Sequence, residues 1–294
     1  MHNNSPHEIM VVRSPHLDLN RFIDIAKMAN KYSFKSIETW ALDVIQEFIE
    51  RKPSPLFDTI PVGFPFPTNS PPSVFVESKR QISRLIQLAQ ICGHADLLET
   101  VITLLRQLMS ASLHFSYLAM CLADDLDLRE LRGLAYLEVL QKSVFVCGRD
   151  ENGNALVEGD IYESSDGLDR LAVNPAQQLR LLSGYHRLSK KWERLRAIPI
   201  PFEHAPACAD WNRRYCTQSW SDFWEMTTRA SGVLALDAAN VIGKLQVMLT
   251  EFDKWGSTAY MYSECKSVAK QVIQDMIDHV SDSLPDFFHE AGEY

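Results

Sequence analysis

An all-α fold is predicted by three features of the amino-acid sequence. Apolar residues recur at steps of three and four along most of the 294 residues, which is the period of helices with one buried face. The long alternation of apolar and polar residues that builds a large sheet is missing. Half of the 14 prolines fall between Pro53 and Pro72, so we expect helices on either side of that segment and none that persists through it.

The first predicted element is a helical hairpin near the N-terminus. Ala29, Phe34, Ile37 and Ala41 follow steps of five, three and four residues, which suits a helix that ends, turns and restarts with its apolar face toward the first helix. The same steps recur at Cys92, Leu97, Thr100 and Leu104, and again at Ala123, Leu128, Leu131 and Ala135. We therefore predict three helical hairpins of one type in series.

A short insertion is predicted between Val144 and Gly167. Brief β-branched runs flank Asn152 and Gly153 there, and an Asn-Gly pair supplies the positive φ angles that a tight hairpin turn needs. We expect an irregular segment or a small β-hairpin.

Three long helices are predicted after the insertion. The first begins with Asn174 as N-cap and Pro175 at the first helical position, and it ends before Pro199. The second follows Asp237, a plausible N-cap, and the third ends near Pro285. The apolar side of the first of these helices is predicted to carry Leu179, Leu182, Leu188, Trp192 and Leu195.

Charge and hydropathy exclude several classes of partner. The formal net charge is -9, so we expect no general attraction to nucleic acid or to anionic lipid. No apolar run reaches the ~18 residues of a membrane span, and the N-terminal residues do not resemble a secretory signal. The six cysteines are therefore expected to be reduced, in the cytoplasm or the nucleus.

One group of residues could approach a metal ion. His204, Cys208 and Cys216 supply the imidazole nitrogen and thiolate sulfurs that Zn²⁺ favours, but no fourth ligand lies nearby in the sequence. We expect instead that the cysteines pack as small apolar residues beside tryptophans, namely Trp211, Trp220 and Trp224. The sequence thus predicts no metal site, with His204, Cys208 and Cys216 as the candidates if one exists.

No catalytic motif is recognisable. The sequence has no nucleophile elbow, no H-E-x-x-H, no Walker or dinucleotide glycine pattern, and no carboxylate pair at a defined spacing. Cys92, Gly93 and His94 offer a thiol beside an imidazole, but a turn between two helices explains them better. We predict a protein that is not an enzyme and that carries no cofactor.

The order of these elements resembles the C-terminal part of the BTB/POZ-domain proteins of mushroom-forming fungi. "LNRFIDIAKMANKYSFKSIETWALDVIQEFI" resembles the last helical hairpin of a BTB domain, and "LIQLAQICGHADLLETVI" and "LADDLDLRELRGLAYLEVLQ" are similar to the BACK-type helices that follow it. "QQLRLLSGYHRLSKKWERLR", then Pro201 and Phe202, then Cys208, Cys216 and Trp220, then the last helices resemble the rest in order. The resemblance covers about Leu19 to Phe288 and implies that the BTB body is largely missing.

The resemblance gives each segment an expected role. The segments are residues 1–50, an N-terminal segment with a BTB-end-like hairpin; 51–80, a proline-rich packed connector; 81–142, BACK-like hairpins; 143–173, an irregular insertion; and 174–294, a C-terminal helical region. Without the BTB body, the first hairpin needs another cover for Phe22, Ile25, Phe34 and Ile37. We expect the connector to supply part of it through Phe57, Phe64 or Phe66.

The leading functional hypothesis is a non-enzymatic module that binds protein partners, as in BTB adaptors. Cullin binding is not expected, because the resemblance places most of the cullin surface in the missing body. The alternative is a metal-dependent or thiol enzyme that uses His204, Cys208 and Cys216.

Overall fold

The prediction of an all-α fold with a short β insertion is confirmed. The structure is a computed structural model, and it describes residues 18–51, 54, 73–149, 153, 155–163, 167, 169–256 and 260–289. The chain forms two compact units, Met1–Leu128 and Arg129–Tyr294. This division falls inside the predicted segment 81–142, whose bounds stay a prediction. None of the helices in the described residues is long and apolar enough to span a membrane.

Unit 1 (Met1–Leu128) consists of five helices in the part that the structure describes. They are α1 (Leu19–Lys31), α2 (Lys35–Ile49), α3 (Ser73–Cys92), α4 (Ala95–Ala111) and α5 (Leu113–Asp125). Helix α1 packs on α2 and α3, and α4 packs on α3 and α5. An ion pair between Arg84 and Asp24 joins α3 to α1, and Lys79 and Asp125 pair at 2.8 Å between α3 and α5. Phe57, Phe64 and Phe66 lie outside the described residues, so their predicted packing stays a prediction.

The ends of α1, α3 and α5 share one turn geometry. A residue just beyond each helix has a positive φ, 60° at Ser33, 64° at Gly93 and 51° at Asp127. The amide of the next residue donates to a carbonyl five residues earlier, in the pairs Phe34–Ala29 (2.8 Å), His94–Ala89 (2.9 Å) and Leu128–Ala123 (3.0 Å). This pattern closes helices by satisfying carbonyls that the last turn leaves free. The shared turn predicted from spacing therefore exists at all three helix ends.

The sequence-based alignment of the second turn was wrong by three residues. His94, not Leu97, occupies the position that Phe34 and Leu128 hold in the other two turns. The His94 side chain caps α4, because its Nδ1 accepts a hydrogen bond from the Leu97 amide at 3.0 Å. His94 is polar, whereas the equivalent residues of the other two turns are apolar. The apolar spacing in the sequence therefore matched three residues too late. The turn between two helices predicted for Cys92, Gly93 and His94 is therefore present.

Unit 2 (Arg129–Tyr294) combines seven helices and one small sheet in its described residues. They are α6 (Arg129–Lys142), β1 (Val144–Val146), β2 (Ile161–Glu163), β3 (Asp169–Ala172), α7 (Pro175–Ala197), α8 (Asp210–Thr228), α9 (Ser231–Leu234), α10 (Val241–Gly256), α11 (Ser263–Asp282) and α12 (Leu284–Phe287). The central strand β3 pairs parallel with β1 and antiparallel with β2. Within the described part of the insertion, an antiparallel bridge joins Arg149 to Ala155 around Gly153, whose φ is 82°. Asn152 lies outside the described residues.

Helix α7 begins where the sequence predicts, but the buried face of its first half differs from the predicted one. Asn174 and Gln177 form a capping box at its start, with Pro175 in the first turn. Leu188, Trp192 and Leu195 are buried as predicted. Leu179 and Leu182, also predicted to be buried, are exposed, and Leu181 and Gly184 are buried instead. The reason is a close approach by the segment after α12: a Cβ at Gly184 would lie 2.1 Å from the Phe288 ring.

Helix α10 has a different N-cap from the one predicted. It starts at Val241, and the Asn240 side chain accepts a hydrogen bond from the Gly243 amide at 2.9 Å. The Asp237 carboxylate accepts from the Ala239 amide at 2.8 Å, so it stabilises the preceding turn instead. Both residues favour such contacts, and sequence spacing did not distinguish the turn from the cap.

Candidate metal centre and apolar groove

The three sequence candidates and one further cysteine meet in unit 2. His204 lies in the segment between α7 and α8, and Cys208 lies two residues before the start of α8. Cys216 lies in the second turn of α8, and Cys265 lies in the first turn of α11. One candidate ligand atom from each residue lies within 4.8 Å of those of the other three. The structure thus gathers one imidazole and three thiols around a single point.

The three sulfur atoms of the cluster are shielded from solvent. Cys208, Cys216 and Cys265 are buried and form no disulfide, and His204 is half-buried. Thiols and imidazole are the donors that bind Zn²⁺ most readily in proteins, and four of them are the number that a structural site needs. The residues present could therefore hold a zinc ion.

Backbone amides point at two of the three sulfurs. The Tyr262 amide donates to Cys216 Sγ at 3.3 Å, and the Ala205 amide donates to Cys265 Sγ at 3.4 Å. The same Ala205 accepts a hydrogen bond from the Cys208 amide at 2.9 Å, which closes the turn between His204 and Cys208. Amide donors stabilise negative charge on sulfur.

The His204 ring is held by three neighbours. Its Nδ1 lies 3.8 Å from Cys265 Sγ, and its Nε2 lies 3.1 Å from Thr217 Oγ1. The Thr217 hydroxyl donates to the carbonyl of Arg213 at 3.0 Å, one turn earlier in α8. The Phe202 ring meets the imidazole edge to face, with ring centroids 4.9 Å apart. Nδ1 therefore faces the sulfurs, and Nε2 faces away from them.

Burial governs the ionisation of Cys208 in the metal-free chain. Burial first, and then the neighbouring thiols of Cys265 and Cys216, raise the pKa of Cys208 to about 12. A thiol with so high a pKa is a poor nucleophile at neutral pH, because the thiolate is the reactive form. This electrostatic setting is unfavourable for thiol catalysis.

Cys265 was missed by sequence reasoning because it lies far along the chain from the other three residues. It heads the buried stripe of α11, which continues through Ala269, Ile273, Ile277 and Val280. That spacing marks Cys265 as an inward-facing residue, but only the packing of α11 near α8 identifies its partners. The sequence-based argument against a metal rested on the missing fourth ligand, and Cys265 supplies one.

The tryptophans predicted to surround the cysteines divide into two groups. Trp220 and Trp224 are buried as predicted, and their indole N–H groups donate to the carbonyls of Ile200 (2.8 Å) and Leu195 (2.9 Å). Their rings lie 5.3 Å apart. Trp211 is 69% exposed, so its predicted place beside the cysteines is wrong. It lies in the first turn of α8, where the helix face turns toward solvent.

Unit 1 carries an open groove along one face of α1. We call it the α1 groove, and its apolar lining consists of Ile25, Met28, Ala29, Tyr32, Phe34 and Ile37. Its volume is about 620 Å³. Met28, Tyr32, Phe34 and Ile37 are 54%, 56%, 58% and 47% exposed. Of the residues expected to need a cover, Phe22 is buried inside unit 1, whereas Phe34 and Ile37 lie open in the described structure.

Comparisons with models of protein families, with curated proteins and with solved structures found no match to the chain.

Proposed function

We propose that the chain is a non-enzymatic protein-interaction module, and that the α1 groove binds an amphipathic helix of a partner protein. The observation that carries this proposal is the cluster of large apolar side chains exposed in that groove. Folded proteins rarely leave contiguous apolar surface in water unless it has a binding role.

The shape of the groove favours a helix as the bound element. Arg21, Ile25, Met28 and Tyr32 recur at steps of four, three and four along α1 and line the groove for most of that helix. A helix of 13 residues is about 20 Å long, which suits a partner helix laid alongside it. Methionine and tyrosine are frequent in such surfaces, since the thioether adapts to its contacts and the aromatic ring offers a large rigid area.

Two of the charged residues that line the groove, Asp18 and Asp24, are already engaged within unit 1. Asp18 caps α1 by accepting from the Arg21 amide at 3.2 Å, and Asp24 pairs with Arg84 of α3. These contacts hold the two carboxylates at the polar edge of the groove. Apolar contacts are therefore expected to supply most of the affinity for a partner helix. The partner helix is therefore expected to bind through leucine, isoleucine or phenylalanine at helical spacing.

The resemblance to BTB/POZ proteins of fungi supports an adaptor role of this kind. It places the first hairpin where a BTB domain would pack on its own body. Membership of that family, the location and the absence of cullin binding stay predictions.

The alternative is a metal-dependent or thiol enzyme built on His204, Cys208 and Cys216. The raised pKa of Cys208 weighs against a thiol nucleophile. A fourth donor from Cys265 weighs against a catalytic zinc, because catalytic sites keep one position for water or substrate.

Selection from a displayed library of amphipathic helical peptides tests the proposal. Peptides that bind the full chain with micromolar affinity are expected, and Tyr32→Glu should weaken them at least about tenfold, since a buried aromatic anchor dominates such interfaces. Ile91→Glu is the matched control, because Ile91 is a large apolar residue of unit 1 that is 59% exposed outside the groove lining. Its effect should stay within about twofold.

Two outcomes would overturn the proposal. One is peptide binding that Tyr32→Glu and Ile91→Glu affect equally. The other is the recovery of no helical peptide together with a tight metabolite ligand.

A further inference from the structure

We propose that His204, Cys208, Cys216 and Cys265 form a structural zinc site of the Cys₃His type in unit 2. This site is independent of the proposed function, because the α1 groove lies in unit 1. Either proposal can therefore fail without the other.

The donor set selects the class of metal. Three sulfurs and one imidazole nitrogen suit Zn²⁺, whereas Mg²⁺ and Ca²⁺ require oxygen ligands. In the described residues the four donors come from two helices and one connecting segment, and their mutual distances stay within 4.8 Å. In a tetrahedral zinc site the donors lie about 3.5–3.8 Å apart, given bonds of about 2.0–2.3 Å to the ion. A contraction of at most about 1.3 Å between any two donors converts the observed cluster into a coordination sphere.

The hydrogen bonds of His204 select the nitrogen that faces the metal. Thr217 Oγ1 has a single proton, which it donates to the Arg213 carbonyl, so it can only accept from His204. Nε2 is then the protonated nitrogen, and Nδ1 carries the lone pair. Nδ1 is also the atom that lies 3.8 Å from Cys265 Sγ. The hydroxyl thus presents the metal-binding nitrogen to the sulfurs, as outer-shell partners of zinc ligands do.

Backbone groups near two of the sulfurs stabilise the negative charge of a thiolate. Amides of Tyr262 and Ala205 donate to Cys216 and Cys265, and Cys265 lies in the first turn of α11, where the helix dipole favours negative charge. On binding, each thiol gives its proton to water and forms a sulfur–zinc bond. No oxidant or reductant takes part, and the metal stays Zn²⁺.

The number and burial of the ligands assign the ion a structural role. Four protein ligands fill the tetrahedron and leave no position for water or substrate. The ion would join the segment before α8, the body of α8 and the start of α11. The proposed ion therefore takes no part in catalysis.

Zinc content and cobalt spectra of the full chain test the site. The reduced protein, purified from zinc-supplemented cells and dialysed against metal-free buffer, is expected to retain about one equivalent of zinc. Reconstitution of the metal-free protein with Co²⁺ should give a strong thiolate-to-cobalt charge-transfer band and the visible bands of a tetrahedral ion. Cys265→Ser should lose both signals, and Cys121→Ser, a buried cysteine of unit 1, should keep both.

Thr217→Val separates positioning from folding. The change keeps the shape of the side chain but removes the acceptor for Nε2–H, so zinc affinity in a chelator competition should fall about 10- to 100-fold. Thr250→Val is the matched control, because Thr250 also donates its hydroxyl proton to a carbonyl one turn earlier, that of Gln246, on exposed α10 surface. Its zinc affinity should match the wild type.

The proposal is overturned if reduced, folded wild-type protein holds less than about 0.1 equivalent of zinc and shows no cobalt charge-transfer band. It is also overturned if Cys265→Ser and Cys121→Ser lose metal to the same extent. Equal zinc affinity for Thr217→Val and wild type would exclude the positioning role of Thr217.

Discussion

The indole N–H of Trp224 donates to the backbone carbonyl of Leu195 at 2.9 Å and thereby joins α8 to the end of α7. Trp224 is almost fully buried and packs against the ring of Trp220. The carbonyl of Leu195 belongs to the last turn of α7, where the helix leaves its acceptors without partners. One side chain thus fills the core and satisfies a helix end.

Trp224→Ala should lower the free energy of unfolding of unit 2 by about 3 kcal/mol or more, because it leaves a large cavity and an unpaired carbonyl. Trp224→Phe keeps most of the volume and should cost less. Trp211→Ala, on the same helix but largely exposed, should change stability by less than about 0.5 kcal/mol. Chemical denaturation measures all three variants, and equal midpoints for Trp224→Ala and Trp211→Ala would contradict the prediction.

Gly184→Ala should destabilise unit 2 by about 1–3 kcal/mol through overpacking. An added Cβ would lie 2.1 Å from the ring of Phe288, which is fully buried and cannot move aside freely. Gly256→Ala is the control, since its nearest neighbour, Phe252, would lie 4.0 Å away. That change should be neutral or slightly stabilising. A Gly184→Ala variant as stable as Gly256→Ala would mean that Phe288 does not pack on α7.

Glu38→Gln should make the stability of unit 1 less sensitive to acid. The Lys35 ammonium donates to both Glu38 oxygens, at 2.9 and 3.1 Å, and this contact holds the pKa of Glu38 below its usual value of 4.5 despite burial. A lowered folded-state pKa stabilises the fold above the unfolded pKa, and this contribution is lost as pH falls through the folded value. The variant should be less stable than wild type by on the order of 1 kcal/mol at pH 7.

The difference between Glu38→Gln and wild type should shrink as pH falls below about 4.5, in denaturation series at pH 7 and at acidic pH. Glu251→Gln is the control, because Glu251 pairs with Lys254 at the same spacing but on the surface. It should change stability by about 0.5 kcal/mol or less at either pH. A constant difference for Glu38→Gln at both pH values would exclude the assigned ion pair.

Helix positions and turn types were accessible from sequence because they depend on local spacing. The steps of five, three and four residues predicted the turn at Ser33, and Asn174 with Pro175 predicted the start of α7. The buried face in the first half of α7 was not predictable from apolar side chains, since one of its residues, Gly184, has no side chain and is buried by contact with Phe288. Local rules also placed the N-cap of α10 at Asp237 instead of Asn240.

The candidate metal centre was only half accessible from sequence. His204, Cys208 and Cys216 lie within 13 residues, so their proximity follows from one turn and the start of one helix. Cys265 joins them through the packing of α11 near α8, which no local pattern encodes. Phe34 and Ile37 were expected to need a cover because the resemblance implies a BTB body against the first hairpin, and both are exposed in the described residues.

Removal of zinc from the loaded protein should lower the thermal midpoint of unit 2. A ligand that binds only the folded state stabilises it by about 4 kcal/mol when its free concentration is a thousand times its Kd. Trp192, Trp211, Trp220, Trp224 and Trp255 lie in unit 2 and Trp40 lies in unit 1, so fluorescence reports mainly on unit 2. A chelator should lower the midpoint of wild type and Cys121→Ser, but not that of Cys265→Ser. An equal shift of the midpoint in all three proteins would contradict stabilisation by zinc bound at the cluster.

X-ray absorption at the zinc edge tests the central claim, that the four residues form one metal centre, most directly. The account predicts a coordination shell of three sulfurs at about 2.3 Å and one nitrogen at about 2.0–2.1 Å in the zinc-loaded, reduced chain. Cys265→Ser should retain no zinc and should give no such shell. A shell of nitrogen and oxygen without sulfur would contradict the account.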